Sequence, residues 1–169
     1  MADSTSEQTT TSIDWGFLFQ WVLANTLGWI AGWFLLGDFG VGVLVGAAQW
    51  VVLRQLLTKT GGWILLTTVG WLAGVALIVS GVLLAPGPDL ITSMLAGAVI
   101  GAWVGLAQWF VLRQWVQLAG VWIFINLVAW ATAFSGFFGS LMAGTVLGVF
   151  TGLVLDWLLR NARKEIGQY

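Results

Sequence analysis

The sequence is dominated by six apolar runs, each about as long as the roughly 20 residues that a helix needs to cross a bilayer core. The runs cover 15–36, 39–57, 63–85, 90–115, 120–138 and 141–159. A membrane β-barrel would instead show segments of about ten residues with alternating polarity. The runs therefore predict an all-α, polytopic membrane protein with six transmembrane helices.

The composition excludes several classes of function. Hydrophobic residues make up 59% of the chain and charged residues 8%, whereas soluble domains carry about a quarter charged residues. The chain has no Cys and no His, so it lacks thiolate and imidazole metal ligands and the usual general base. A net charge of -1 provides no basic field to attract nucleic acid. We expect no enzymatic activity, no metal, no cofactor and no nucleic-acid partner.

The charge distribution predicts an orientation in the membrane. All basic residues lie at or after the ends of the second, fourth and sixth runs, namely Arg54, Lys59, Arg113, Arg160, Arg163 and Lys164. The charged residues in the opposite loops are Asp38 and Asp89. By the positive-inside rule the basic segments are cytoplasmic, and six helices place both termini there as well. The expected location is a bacterial inner membrane or an internal membrane of the same topology.

Polar segments flank the predicted membrane domain on both sides. Residues 1–14 are rich in Ser and Thr and lack the basic start of a signal peptide, which predicts a disordered tail. The membrane domain is expected over 15–160, with hairpin repeats at about 15–58, 62–115 and 119–160. Residues 161–169 are expected to form a short basic tail.

The first, third and fifth runs share one pattern, in which two Trp residues flank a polar residue at spacings of four. Its members are Trp21, Asn25 and Trp29, then Trp63, Thr67 and Trp71, then Trp122, Asn126 and Trp130. Small pairs follow on the same helix face, at Gly28 and Gly32, Gly70 and Gly74, and Ala129 and Ala133. Each of these helices is predicted to carry a Trp stripe beside a small-residue groove for another helix.

The second, fourth and sixth runs share a different pattern, a glycine pair followed by an arginine. Its members are Gly42, Gly46 and Arg54, then Gly101, Gly105 and Arg113, then Gly148, Gly152 and Arg160. The first two copies read Ala-Gln-Trp-x-Val-Leu-Arg-Gln, but the third has Leu155 and Asp156 where Gln and Trp are expected. We interpret this departure as that of a terminal repeat with a different neighbour. The spacing of Asp156 and Arg160 predicts an ion pair.

These alternating units resemble a group of small multi-pass bacterial membrane proteins that have no characterised activity. The resemblance covers nearly the whole predicted membrane domain. It implies a multi-pass membrane protein and no particular mechanism.

The polar residues within the runs have two interpretations. They are Asn25, Gln49, Thr67, Gln108 and Asn126. The first interpretation is that they join helices by hydrogen bonds, and the second is that they line a ligand site. The Trp stripes can likewise pack the interior or present flat surfaces to a pigment.

Other side chains are expected at the membrane boundary. The tryptophans near the ends of the runs are expected to act as interfacial anchors, namely Trp15, Trp63, Trp115, Trp122 and Trp157. Arg54, Arg113 and Arg160 are expected to contact lipid headgroups.

The sequence favours a non-enzymatic protein that packs with other membrane components. Its expected partners are membrane lipid, further copies of itself or a larger membrane complex. One alternative is a small-solute transporter or channel. A second alternative is a protein that binds a pigment or another hydrophobic ligand.

Overall fold

The computed structural model describes residues 12–81, 89–136 and 140–166. These residues form six α-helices, one short 3-10 helix and no strand. The helices are α1 Trp15–Leu36, α2 Asp38–Leu53, α3 Trp63–Val79, α4 Leu90–Leu112, α5 Gly120–Phe134 and α6 Ala143–Ile166, and the 3-10 helix is Ser140–Met142. The prediction of an all-α fold is confirmed.

Two aspartates cap the helices that they precede. A carboxylate oxygen of Asp14 accepts a hydrogen bond from the backbone N–H of Phe17 at 3.0 Å. Asp89 accepts bonds from the hydroxyl of Thr92 at 2.6 Å and from its backbone N–H at 2.9 Å. These bonds, the hydroxyl bond first, lower the pKa of Asp89 below its ordinary value. Each cap satisfies a backbone donor that has no partner within its helix.

Helices α2 and α4 are shorter than predicted, because the last apolar residues of each run form a turn. The turns are alike: Leu57 N–H donates to the carbonyl of Leu53 at 2.8 Å, and Val116 N–H donates to that of Leu112 at 3.0 Å. The apolar runs therefore extend beyond these two helices, which end just before Arg54 and Arg113. Helix α6 instead continues to Ile166, so it includes the first residues of the basic tail that was predicted from residue 161.

The opposite end of the molecule uses glycine where a helix stops. Gly37, Gly81 and Gly136 have φ values of 65°, 67° and 74°, a left-handed conformation that costs glycine little. They follow α1, α3 and α5 closely. The third and fifth apolar runs continue beyond these helices, to residues 85 and 138. Most of these last residues fall within 82–88 and 137–139, which lie outside the described residues.

The six helices form a closed ring. Each helix packs against its neighbours in sequence, and α6 packs against α1. The neighbouring helix of the third repeat is therefore of the same kind as in the other two, because α6 meets α1 as α2 meets α3 and α4 meets α5. However, Arg160 Nη1 also donates a hydrogen bond to the carbonyl of Ser12, ahead of α1, at 3.2 Å, so the prediction of a different neighbour is not contradicted.

Glycines let these neighbouring helices approach closely. A Cβ on Gly28 would lie 2.8 Å from Cα of Val45, and one on Gly70 would lie 2.7 Å from Cα of Val104. In the same way Gly32 and Gly74 face α2 and α4, Gly42 and Gly46 face α3, Gly101 and Gly105 face α5, and Gly148 and Gly152 face α1. Gly97 and Gly144, which the sequence analysis did not single out, extend two of these contact faces by one turn.

Three helices are long and apolar enough to cross a membrane. They are Trp15–Leu36, Leu90–Leu112 and, within α6, Ala143–Ala162. The segments Phe39–Leu53, Trp63–Val79 and Gly120–Phe134 are apolar but shorter. A set of six spans remains a prediction.

We predict that Gly70→Ala lowers the free energy of unfolding by about 1–3 kcal/mol, the usual cost of overpacking. The new methyl group would press on the backbone of Val104. Gly120→Ala is the control, because nothing lies within 4 Å of a Cβ at that position. Denaturant unfolding in micelles measures both variants. Equal losses would contradict the close-contact argument.

Candidate functional site

Six tryptophans form two layers at the centre of the ring. The first tryptophan layer consists of Trp21, Trp63 and Trp122, each 0% exposed, with ring centroids 6.2–6.4 Å apart. The second tryptophan layer consists of Trp29, Trp71 and Trp130, with centroids 5.3–6.1 Å apart. The prediction that Trp63 and Trp122 are interfacial anchors is wrong, since both lie in the core.

The indoles of the first tryptophan layer all donate hydrogen bonds to the even-numbered helices. Trp63 Nε1 donates to Gln49 Oε1, and Trp122 Nε1 donates to Gln108 Oε1, each at 2.9 Å. Trp21 Nε1 donates to Thr151 Oγ1, also at 2.9 Å. Each bond joins one helix hairpin to the next around the ring.

The two glutamines connect the indole bonds of Trp63 and Trp122 to each other. Gln49 Nε2 donates to Asn25 Oδ1 at 2.8 Å. Gln108 Nε2 lies 2.9 Å from Thr67 Oγ1 and 3.0 Å from Gln49 Oε1, and donates to both. Together with the three indole bonds, these bonds reach all six helices. We call these bonded side chains the polar network.

The odd-helix members of this region are also tied to their own helices. In each case the side chain donates to the carbonyl of the first-layer Trp one turn earlier. These bonds run from Asn25 to Trp21 at 2.8 Å, from Thr67 to Trp63 at 2.8 Å and from Asn126 to Trp122 at 2.9 Å. The three polar residues are therefore held between the two tryptophan layers.

The third repeat departs from the other two at two neighbouring positions. The place of Gln49 and Gln108 is taken by Leu155, which is 0% exposed. The acceptor for the indole has moved one turn back, to Thr151, where the other repeats have Val45 and Val104. Thr151 was not among the residues predicted from sequence. Aligning the three even-numbered helices on their glycine pairs would have found it.

The same departure leaves the side-chain oxygen of Asn126 without a hydrogen-bond donor. Its counterparts Asn25 and Thr67 each accept a hydrogen bond from a glutamine on the partner helix. Leu155 has no N–H to give, and Asn126 Oδ1 accepts no hydrogen bond from any described residue. Asn126 is nevertheless 97% buried, with 3% of its surface exposed.

A small cavity lies between the tryptophan layers. Its volume is about 10 Å³, and its polar lining consists of Asn25, Gln49, Thr67, Asn126 and Thr151. A cavity needs roughly 10–15 Å³ on this measure to hold one water molecule. The cavity is therefore too small for an organic solute.

The arginine end of the bundle, where α2, α4 and α6 carry Arg54, Arg113 and Arg160, shows the repeat again. Arg54 and Arg113 each lie 4.7 Å from the ring centre of a Trp one turn earlier, a cation–π contact. In α6 that Trp is replaced by Asp156, whose carboxylate lies 2.8 Å from the guanidinium of Arg160. The predicted ion pair is confirmed.

An apolar groove lies at the other end of α1. Its volume is about 260 Å³, and it is lined by Trp29, Ile30, Trp33, Phe34 and Leu141. Within the described residues, no group of three or more Asp, Glu, His or Cys side chains could hold a metal ion.

No family model, curated protein or solved structure matches this chain. Its function has to be argued from its own residues.

We predict that Gln108→Leu lowers the free energy of unfolding by about 1–3 kcal/mol, the cost of leaving buried polar groups without partners. The change removes the acceptor of the Trp122 indole and the donor to Thr67. Gln114→Leu is the control, since Gln114 is exposed and bonds only to a carbonyl one turn earlier. Its effect should stay within about 0.5 kcal/mol. Denaturant unfolding followed by Trp fluorescence compares the two variants, and matching losses would count against the network.

Proposed function

We propose that this chain is a non-enzymatic integral membrane protein with six transmembrane helices, which serves as a packing or lipid-binding component of a membrane assembly. The observation that carries this proposal is the filled interior of the ring. Two tryptophan layers and the polar network occupy the space in which a transporter or channel would need a solute path.

The interior offers a solute little to bind. The network amides pair mostly with one another and with the indoles, and the space left between the tryptophan layers is about 10 Å³. A typical ligand pocket has a volume of several hundred Å³. The pairing supports a structural role for the buried amides rather than a role in solute binding.

The outer surface supports contact with lipid or with other membrane helices. Large apolar side chains point outward along the bundle, including Phe34 at 75% exposed, Phe39 at 77% and Val79 at 76%. Exposed apolar area on this scale marks an interaction surface in a protein surrounded by water. In a bilayer the same side chains meet a medium as apolar as themselves.

Equivalent contacts in the three hairpins support six spans. Helices α2, α3 and α5 contain 16, 17 and 15 residues, which gives them lengths of about 23–26 Å. This is shorter than the roughly 30 Å hydrocarbon core, a mismatch that local bilayer thinning can accommodate. Each short helix packs between two neighbours in the ring. We place the arginine end on the cytoplasmic side.

Single cysteines test this topology, because the chain has no Cys of its own. We expect Lys59→Cys and Leu118→Cys to react with a membrane-impermeant maleimide only from the cytoplasmic side, and Asp89→Cys only from the other side. Ala129→Cys is the control, because Ala129 is 0% exposed and should not react in the folded protein. Labelling of residues 59 and 89 from the same side would show that α3 does not cross.

The apolar groove favours a second candidate function, the binding of one hydrophobic molecule. Its 260 Å³ and its lining of aromatic and aliphatic side chains suit an acyl chain or a small apolar ligand. It opens beside the second tryptophan layer, since Trp29 belongs to both. This candidate concerns the surface of the bundle and leaves the filled interior unchanged.

Native mass spectrometry and liposome flux measurements separate these functions. We expect the protein, extracted in mild detergent, to carry other subunits or to form a discrete homo-oligomer, and we expect liposomes containing it to retain trapped solutes. A stoichiometric small molecule that is lost in Trp33→Ala would favour the second candidate. Solute flux that is lost in Gln49→Ala would overturn the structural proposal in favour of transport.

A further inference from the structure

We propose that the central cavity is a binding site for one water molecule, which donates a hydrogen bond to Oδ1 of Asn126. The site arises from the one place where the three repeats differ in their buried amides. It goes beyond the proposed function, because it concerns the interior of the bundle and holds whether or not the protein has partners.

The side-chain oxygen of Asn126 is a hydrogen-bond acceptor without a donor among the described residues. Asn25 accepts from Gln49 and Thr67 accepts from Gln108, whereas the corresponding position beside Asn126 is occupied by Leu155. A buried carbonyl oxygen without a donor loses the hydrogen bond that it makes to water in the unfolded chain. Asn126 Oδ1 therefore needs a hydrogen-bond donor, and no described residue supplies one.

The space beside Asn126 Oδ1 is large enough for one water molecule. The cavity that Asn126 lines has a volume of about 10 Å³, close to the smallest that holds one water. Buried waters typically make about three hydrogen bonds. Asn25 and Gln49 also line the cavity, and each uses one amide hydrogen in the bonds described above, so each has a second hydrogen to offer the guest.

The uncharged lining of the cavity favours a neutral guest. The residues that line the cavity include no carboxylate and no other charged side chain. A cation at this depth would pay a large desolvation cost with no counter-charge to offset it. A neutral molecule with one heavy atom and two donors fits the lining, which identifies the guest as water rather than sodium or ammonium.

The water takes the place of the missing third glutamine. In the first two repeats a glutamine N–H reaches the polar residue of the partner helix. In the third, Leu155 fills the core and a water supplies the hydrogen bond to Asn126. Leu155→Gln should restore the pattern of the other repeats and displace the water.

Nuclear magnetic resonance on protein with ¹⁵N-labelled Asn, in nanodiscs of deuterated lipid, tests this site. We expect a cross-peak between water and the side-chain amide of Asn126, with the sign of a long-lived contact. The cross-peak should disappear in Leu155→Gln. It should persist in Leu153→Gln, the same substitution on α6 at a position that is 39% exposed.

The outcomes are distinct from those of the functional proposal. If the protein is natively folded and shows no cross-peak between water and the Asn126 amide, the inference is overturned. A shift of the Asn126 resonance when choline chloride replaces sodium chloride, or when ammonium chloride is added, would overturn it in favour of a cation. If Leu155→Gln does not fold, Asn126→Leu provides the second test. The unsubstituted protein should show a water contact at the Asn25 amide, which also lines the cavity, and a contact that persists in Asn126→Leu would overturn the inference.

Discussion

Amides buried among apolar helices need hydrogen-bond partners, and this requirement organises the bundle. Apolar side chains gain little by leaving lipid for the protein interior, so helix association in membranes depends on close packing and on hydrogen bonds between helices. Gln49 and Gln108 supply those bonds at the centre of the ring. The indole donors of the first tryptophan layer then fix the position of each hairpin relative to the next.

Glycine and tryptophan are complementary in this arrangement. Glycine-lined faces bring neighbouring backbones into contact around the ring, as at Gly28 against Val45. The close contacts narrow the ring until three indoles per layer fill its axis. Larger side chains at the glycines would widen the ring and leave the tryptophan layers loosely packed, so the two patterns depend on each other.

The helical class, the helix faces and the Asp156–Arg160 ion pair were predictable from sequence, because residue spacing alone determines which side chains share a helix face. The burial of Trp63 and Trp122 was not predictable, since a Trp near the end of an apolar run suits an interfacial anchor equally well. The contact between α1 and α6 that closes the ring joins residues far apart in the sequence, so no local sequence pattern predicts it. Thr151 was missed because a Thr among apolar residues draws attention only when the three repeats are aligned.

The arrangement of the polar network also bears on transport, since alternating access requires one part of a bundle to move against another. Suppose that the hairpin of α1 and α2 rocked away from the other two. That motion would break the bonds from Trp63 and Gln108 to Gln49 and the bond from Trp21 to Thr151. Each would leave a polar group buried without a partner unless water entered behind it. A network that joins all three hairpins at the axis therefore opposes the rocking motion, which supports a rigid component over a carrier.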